Sequence, residues 1–391
     1  MLKRHKKNIY LDWAASAPAS SVALKAFTQT VGLHGNPGAL HKDAQQALTV
    51  LESARTKVAR LGQVKPAGVV FTSGATEANA LSILGSVRAR RKELKEVHVL
   101  YHPGAHSSVL GAIEMLQEEG VEIEALALRK GILDISAIEK QLKANTALVV
   151  VEAVSGETGA IFDTLALRRI LDAHKKKTGK RILLHVDASQ APSCLSISLP
   201  HLGADLLSLD AQKVGGVRGV GALLIAGQVE LSPLMKGGGQ EGGLRPGTSN
   251  VALIEAFAVA LEDVQTKRET AVQKNAQLRE KFLSEIQTIL GVRCNESTDQ
   301  ASHIVNISLI GRDTDYLVLL LDARGYSVST KSACESDEPE SRMVMCITGD
   351  IVRATSTLRI SWGAGVTLEQ LQRFTRVLTE EVRFLDEKTI Y

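Results

Sequence analysis

Over its first two-thirds the chain keeps changing hydrophobic period, and this limits what it can fold into more than any other feature. Val69–Thr72, Val97–Tyr101, Val121–Leu126, Ala147–Val154, Ile182–Asp187, Asp205–Leu209 and Gly221–Ile225 are short apolar runs that read as strands. Between them, Thr76–Arg91, Ser107–Glu119, Ile135–Lys143 and Leu165–Lys177 carry apolar residues at three- and four-residue intervals, the period of a helix with one buried face. Leu148-Val149-Val150-Val151 is apolar at consecutive positions, as a strand covered on both faces must be. The alternation predicts an α/β fold: a mostly parallel central sheet with helices on both sides.

The pattern then changes. Val251 to Leu290 reads as one long helix rich in Glu, Lys and Gln. Strands at His303–Leu309, Ser327–Thr330 and Leu358–Trp362 follow, with helices at Asp313–Ala323 and Leu368–Leu385, which suggests a smaller α+β unit. A length of 391 residues is too great for one small core. The expected division is a large domain over residues 15–255 and a small domain from residues 1–14 and 256–391. Asn8–Ala15 is expected to pack near their junction.

Composition removes several classes of function. Charged residues make up 23% and hydrophobic ones 44%, and the net charge of +3 is too small to imply a nucleic-acid partner. The basic clusters Lys3–Lys7 and His174–Arg181 read as a solvated terminus and a helix end. No apolar run reaches the roughly 18 residues a membrane helix needs. Met1–Tyr10 is basic without a following apolar region, so no secretory signal is expected. Cys194, Cys294, Cys334 and Cys346 show neither CxxC spacing nor a metal-ligand pattern. No metal site is expected, and free thiols point to a reducing compartment, the cytoplasm.

Five segments carry candidate chemistry. Val69 to Glu77 is a strand, a glycine turn and a helix start, where free backbone N–H groups can bind an anion. Thr76 would add a hydroxyl, but the segment reads equally as a helix capped by Ser73 or Thr76. His185-Val186-Asp187-Ala188-Ser189-Gln190 places Asp187 at the carboxyl edge of a strand, where open α/β sheets bind ligands. A buried carboxylate there needs a cation, which a pyridinium nitrogen would supply; a turn-capping aspartate is the other reading. Lys213 stands between a strand and the glycine-rich Val214–Gly221. By itself it reads as a loop lysine, yet Asp187 lies 26 residues upstream, and pyridoxal-phosphate sites pair such a lysine with such an acid. Cys334 sits in the polar stretch Ser327–Asp337 instead of an apolar run, with Lys331 favouring the thiolate and Glu335 and Asp337 opposing it. Arg359 alternates with Leu358, Ile360 and Trp362. Its guanidinium fork would suit a substrate carboxylate, or a salt bridge at a strand end.

Taken together, these segments resemble the group I cysteine desulfurases of the NifS/IscS type, within the class V aminotransferase family of fold-type I pyridoxal-phosphate enzymes. The resemblance rests on Tyr10-Leu11-Asp12, Gly35-Asn36-Pro37, Phe71–Glu77, His106, His185–Gln190, Lys213, Gly237-Gly238-Gly239-Gln240-Glu241, Arg245-Pro246-Gly247-Thr248, Ser332-Ala333-Cys334 and Arg359-Ile360-Ser361, in family order over nearly the whole chain. It implies the fold-type I transferase architecture, with pyridoxal 5'-phosphate bound in the large domain. Lys213 would hold the cofactor through its amine, Asp187 would pair with the ring nitrogen, and Gln190 would bond the ring hydroxyl. His106 would stack on the ring and serve in proton transfers. Ala75, Thr76 and Gln212 would lie at the phosphate, joined by Thr248 from the partner subunit of a homodimer with shared sites. Arg359, with Asn36, would clamp the carboxylate of L-cysteine. Cys334 would take the sulfur as a persulfide, releasing L-alanine, and hand it to an acceptor protein, as in iron–sulfur cluster assembly.

Two motifs depart from the family pattern. Asn-Asn-Glu reads here as Ser155-Gly156-Glu157, so a side chain that contacts the cofactor hydroxyl is missing at Gly156. Ser-Gly-His-Lys reads as Asp210-Ala211-Gln212-Lys213, which places a carboxylate beside the phosphate unless Asp210 turns away or is neutralised. These departures keep two alternatives in view. A related lyase or aminotransferase, such as a selenocysteine lyase, would keep turning over without Cys334. A non-catalytic paralogue acting as a binding partner would fail to take up the cofactor.

Overall fold

The computed structural model describes residues 8–91, 96–227, 229–330 and 340–388. In chain order the strands begin with β1 (Ile9–Tyr10), β2 (Val69–Thr72), β3 (His98–Tyr101), β4 (Glu122–Ala125), β5 (Leu128–Arg129), β6 (Ile132–Leu133) and β7 (Thr146–Glu152). They continue with β8 (Leu183–Asp187), β9 (Leu206–Asp210), β10 (Gly221–Ile225), β11 (Val292–Cys294), β12 (Ile304–Leu309), β13 (Tyr326–Ser327) and β14 (Thr357–Ser361).

A seven-stranded sheet in the order β2-β10-β9-β8-β7-β3-β4 forms the centre. Neighbours from β9 through β4 pair in parallel, whereas β10 runs against both β2 and β9. The reason is connection length. A parallel return needs a crossover of roughly a dozen residues or more, and residues 211–220 between β9 and β10 fall short of that. Helices supply the parallel crossovers, among them Ala75–Arg90 between β2 and β3, Ser107–Glu118 between β3 and β4, and Thr164–Thr178 between β7 and β8.

Alternate residues of each central strand feed opposite faces. Val149 and Val151 join the core on one side and Leu148 and Val150 the core on the other, so the consecutive apolar run is fully buried. The helix Ala75–Arg90 has no polar face in the usual sense, because Asn79, Ser82 and Ser86 are buried along with its apolar residues. Burying polar groups there requires partners, and the site below supplies them for Asn79 and Ser82.

A second, antiparallel sheet has the order β11-β12-β14, and β1 pairs in parallel with β13 beside it. Its core centres on Phe282, Trp362 and Phe374, with Phe282 edge-on to Trp362 at a centroid distance of 5.8 Å. The long helix Val251–Ile286 belongs to both regions: Phe257 and Leu261 pack under the large sheet, and Leu278, Phe282 and Ile286 under the small one. It therefore runs unbroken through the expected division at residues 255 and 256.

The elements differ from the sequence expectation in a few places. The long helix stops at Ile286 instead of Leu290, and the strand expected at Ser327–Thr330 is β13, with Ser329 adding only an isolated bridge to Arg359. Helices Ser21–Thr30 and Lys42–Gly62 were not expected. The second buries Ala44, Ala47, Leu51, Ala54, Val58 and Ala59 at three- and four-residue intervals, so its helical period is readable in the sequence.

Candidate active site

The carboxyl ends of the parallel strands converge on one side of the sheet, and the segments leaving them line a cavity of about 280 Å³. Ala75 and Thr76 follow β2, Gly104 and His106 follow β3, Glu152 ends β7, and Val154 to Glu157 follow it. Asp187, Ser189 and Gln190 come from the end of β8, and Asp210, Gln212 and Lys213 from the end of β9. Arg359 enters from β14, and Ala14 and Ala15 from the N-terminal segment. The position matches the general rule for ligands in open α/β sheets, and the volume falls near the lower end of the roughly 300–1,000 Å³ typical of small-ligand sites.

Asp187 is the best supported charge in the cavity. Its Oδ2 accepts from Asn79 Nδ2 at 2.7 Å, and its Oδ1 from the Ser189 amide at 2.9 Å and the Ser189 hydroxyl at 2.6 Å. All three donors are neutral, so they orient the carboxylate without cancelling its charge. Behind it, Asn79 also donates to Ser108 Oγ at 2.9 Å and meets His185 Nε2 at 3.0 Å, and His185 Nδ1 meets Ser82 Oγ at 2.8 Å. Burial pushes His185 down to about 4, against the opposing pull of Asp187, so the imidazole is neutral at pH 7.

Lys213 Nζ donates to the carbonyls of Ala14 at 2.9 Å and Ala15 at 2.7 Å, and Gln190 Nε2 donates to the Ala14 carbonyl at 2.8 Å. The Ala14–Ala15 turn is held in place in its own right, since Ala14 N donates to Ser361 Oγ at 2.9 Å. His106 caps the helix Ser107–Glu118, its Nδ1 accepting the Ser108 amide at 3.1 Å. A nitrogen that accepts carries no proton, so the neutral ring bears its hydrogen on Nε2.

Arg359 is only 2% exposed in its side chain, and its fork is already engaged: Nη2 donates to Asp12 Oδ1 at 2.8 Å and Nη1 to the Gly156 carbonyl at 3.0 Å. Of the two readings of this arginine the salt bridge is the one seen here, and the residue also lines the cavity. Glu157, next to Gly156, accepts from the Met343 amide at 3.1 Å. Burial pushes its carboxyl up, while hydrogen bonds from Ser341 and the Met343 amide and the charge of Arg359 oppose the rise. Glu157 ties the cavity wall to the helix Arg342–Thr348 that follows residues 331–339. At Gly156 an added Cβ would lie 3.1 Å from Gln190 Nε2, so the Gln190 amide packs against the position where the family carries an asparagine.

The helix Ala75–Arg90 is not capped as its sequence suggested. Neither Ser73 nor Thr76 is its cap; the cap residue is Gly74, without a side-chain bond of its own. Asp210 Oδ2 accepts the Ala75 amide at 3.1 Å instead, and its Oδ1 accepts the Gln212 amide at 3.0 Å. Asp210 therefore points at the start of this helix, where the resemblance implies a phosphate.

The structure brings Lys213, Asp187, His106, Gln190, Ala75, Thr76, Gln212 and Arg359 into this one cavity. Asn36, expected here, lies elsewhere, and Thr248, expected to serve the partner's site, lines another cavity. Asn36 is exposed, and its Oδ1 accepts the Gly38 amide at 3.0 Å in a local turn that keeps it off the cavity wall. Thr248 lines a separate cavity of about 210 Å³ with Glu241 and Arg245, a loop held to β2 by Glu241, which accepts from Arg55 at 2.8 Å and the Phe71 amide at 2.8 Å. Cys334 lies outside the described residues. Of the other thiols, burial pushes Cys194 up to about 12 and Cys346 up to about 11, which leaves both protonated. Sequence reasoning missed Asn79, Ser108, Glu152 and Asp12 as site residues. Asn79 was accessible in principle, one turn along the helix from Thr76 and so on the same face.

A family model described as "Aminotransferase class-V" matches residues 9–374. The chain is 31% identical to "Cysteine desulfurase IscS 1" of Archaeoglobus fulgidus over 373 residues, covering 94% of this chain and 95% of that protein. A solved "NIFS-LIKE PROTEIN" superposes with a TM-score of 0.89 at 28% identity, covering 97% of this chain and all of that one. A structure titled "SspA in complex with cysteine" superposes with a TM-score of 0.78 at 28% identity, covering 90% and 98%. Among the described residues, no helix is long and apolar enough to cross a membrane.

Proposed function

The chain belongs to the class-V aminotransferase family, and from that premise we propose that it is a pyridoxal-phosphate-dependent cysteine desulfurase, converting L-cysteine to L-alanine and taking the sulfur onto Cys334 as a persulfide. The observation that carries this reading is the convergence of Lys213, Asp187, His106, Gln190 and Arg359 on a single cavity, from segments that begin over 100 residues into the chain and end near its C-terminus. The ring end of the cavity suits the cofactor. A buried carboxylate held by neutral donors retains its full charge for a cation, and a protonated pyridine nitrogen is one. When bound, pyridoxal phosphate supplies an electron sink next to the α-carbon of the substrate.

The residues of the chain then divide the work. Asp187 would pair with the ring nitrogen, and Lys213, now held by the Ala14 and Ala15 carbonyls, would hold the cofactor aldehyde. His106, with its proton on Nε2, donates and recovers a proton at the substrate. Arg359 receives the substrate carboxylate while Asp12 fixes the fork. Cys334 attacks the sulfur; the carbon–sulfur bond breaks, a sulfur–sulfur bond forms, and the electron pair left on carbon takes up a proton to give alanine. We further place the enzyme as a cytoplasmic homodimer in which Thr248 serves the phosphate of the partner's site, with an acceptor protein removing the persulfide sulfur. We take residues 15–255 as most of the unit that binds the cofactor, with Phe257 and Leu261 of the long helix completing its core.

The decisive experiment measures alanine and sulfide released from cysteine under anaerobic, reducing conditions, together with the visible band of the bound cofactor. Wild type should give both products. Cys334→Ala should keep the band and lose sulfur transfer, and Lys213→Ala should lose band and turnover together. Undiminished alanine production by Cys334→Ala would sink the desulfurase reading in favour of a lyase.

A further inference from the structure

The departure at position 210 points to a specificity determinant, and it rests on the cofactor reading above. The helix Ala75–Arg90 presents its N-terminus to the cavity, and its first amide is taken by Asp210 Oδ2 at 3.1 Å. The other oxygen of the carboxylate holds the Gln212 amide at 3.0 Å, one residue before Lys213. Asp210 is 9% exposed, and an added Cβ at Gly74 would lie 3.4 Å from its Oδ2, so strand end, glycine turn and helix start close around a single anion. An anion at a helix N-terminus is favourable, and here the protein supplies one from its own chain.

A phosphate received by Ala75 and Thr76 must compete with that carboxylate for the same amide and bear a like charge beside it. We propose that Asp210 acts as a built-in substitute for the cofactor phosphate, so that the phosphorylated aldehyde gains little affinity over unphosphorylated pyridoxal. The ring end (Asp187, Gln190, His106, Lys213) then carries most of the binding.

The test titrates wild type, Asp210→Asn and Asp210→Ser with pyridoxal phosphate and, separately, with pyridoxal, following the visible band of the lysine-linked aldehyde. Asparagine preserves the shape, and serine preserves a cap for the turn before Lys213. In both variants affinity for pyridoxal phosphate should rise by about tenfold or more, the scale on which a nearby like charge disfavours an ion. Affinity for pyridoxal should stay as in wild type, which also shows that the variant cavity is intact. An unchanged or weakened preference for the phosphorylated form in the two variants overturns the proposal. Absence of the band in wild type with either aldehyde overturns the cofactor reading itself, and the inference falls with it.

Discussion

Asp187 and Asp210 end neighbouring strands, are both buried and both line the same cavity, yet they face opposite tasks. One helix, Ala75–Arg90, addresses each of them differently. To Asp187 it offers the side-chain amide of Asn79; to Asp210 it offers its own first backbone N–H. A side-chain amide is directional and uncharged, so it aims Asp187 while leaving its charge for a ligand. A helix N-terminus carries partial positive charge, so it absorbs the charge of Asp210 within the protein. The comparison shows that the use of a buried carboxylate depends on what holds it, more than on burial or on its place along a strand.

The sharpest way to break this contrast is at Asp187. Asp187→Asn should lower alanine formation by roughly 10²–10³-fold, the cost of losing one preorganised electrostatic group in a dry site. Steady-state kinetics with the cofactor saturating would check it, and activity near wild type would place the ring nitrogen elsewhere. Arg359 extends the contrast, because its charge is shared between Asp12 and the cavity. Arg359→Lys keeps the charge but loses the fork, so KM for cysteine should rise about tenfold with a smaller change in kcat. Asn79→Ala removes the hold of the helix on Asp187 and leaves its hold on Asp210 alone. It should cost about 2 kcal/mol of stability, measured by denaturant unfolding, and blue- or red-shift the cofactor band without altering competition by inorganic phosphate.

The last effect is acid sensitivity, comparable in size over the window tested. His102 is buried against the edge of Phe162 at 4.5 Å, and burial pushes it down to about 3 from an ordinary value of 6.5. Below pH 6.5 the unfolded chain binds a proton that folded His102 refuses, so stability falls as pH drops from about 6.5 towards 3 and is unaffected above that window. The slope is about 1.4 kcal/mol per pH unit for such a group. His102→Met should remove that share of the slope in thermal unfolding between pH 7 and pH 5, and an unchanged slope would show that the imidazole is reached by water.

Much of this site was legible in one dimension. The strands that end at Thr72, Asp187 and Asp210 are short apolar runs closed by a polar residue, and the rule that ligands gather at carboxyl ends leads to the residues that line the cavity. Asn36 shows the limit of that reasoning. Its family motif survives, but within this chain the side chain closes a local turn at Gly38. Asn79 shows the complementary limit, because a buried amide in a helix interior looks unfavourable until the carboxylate it serves is packed against it. The helix Lys42–Gly62 was legible, since its buried Ala44, Ala47, Leu51, Ala54 and Val58 keep a helical period.

The sequence alone determined the order and period of the elements, and with them the sheet and the residues that leave its carboxyl edge, because strand and helix periods are local properties of the chain. Only the tertiary structure decided who holds whom: that Ala14 and Ala15 grip Lys213, that Asp12 steadies Arg359, and that Asp210 seals a helix begun far upstream. Those choices depend on hydrogen-bond distances of about 3 Å between segments remote along the chain. No local pattern encodes such distances until the core has set the spacing between the strands.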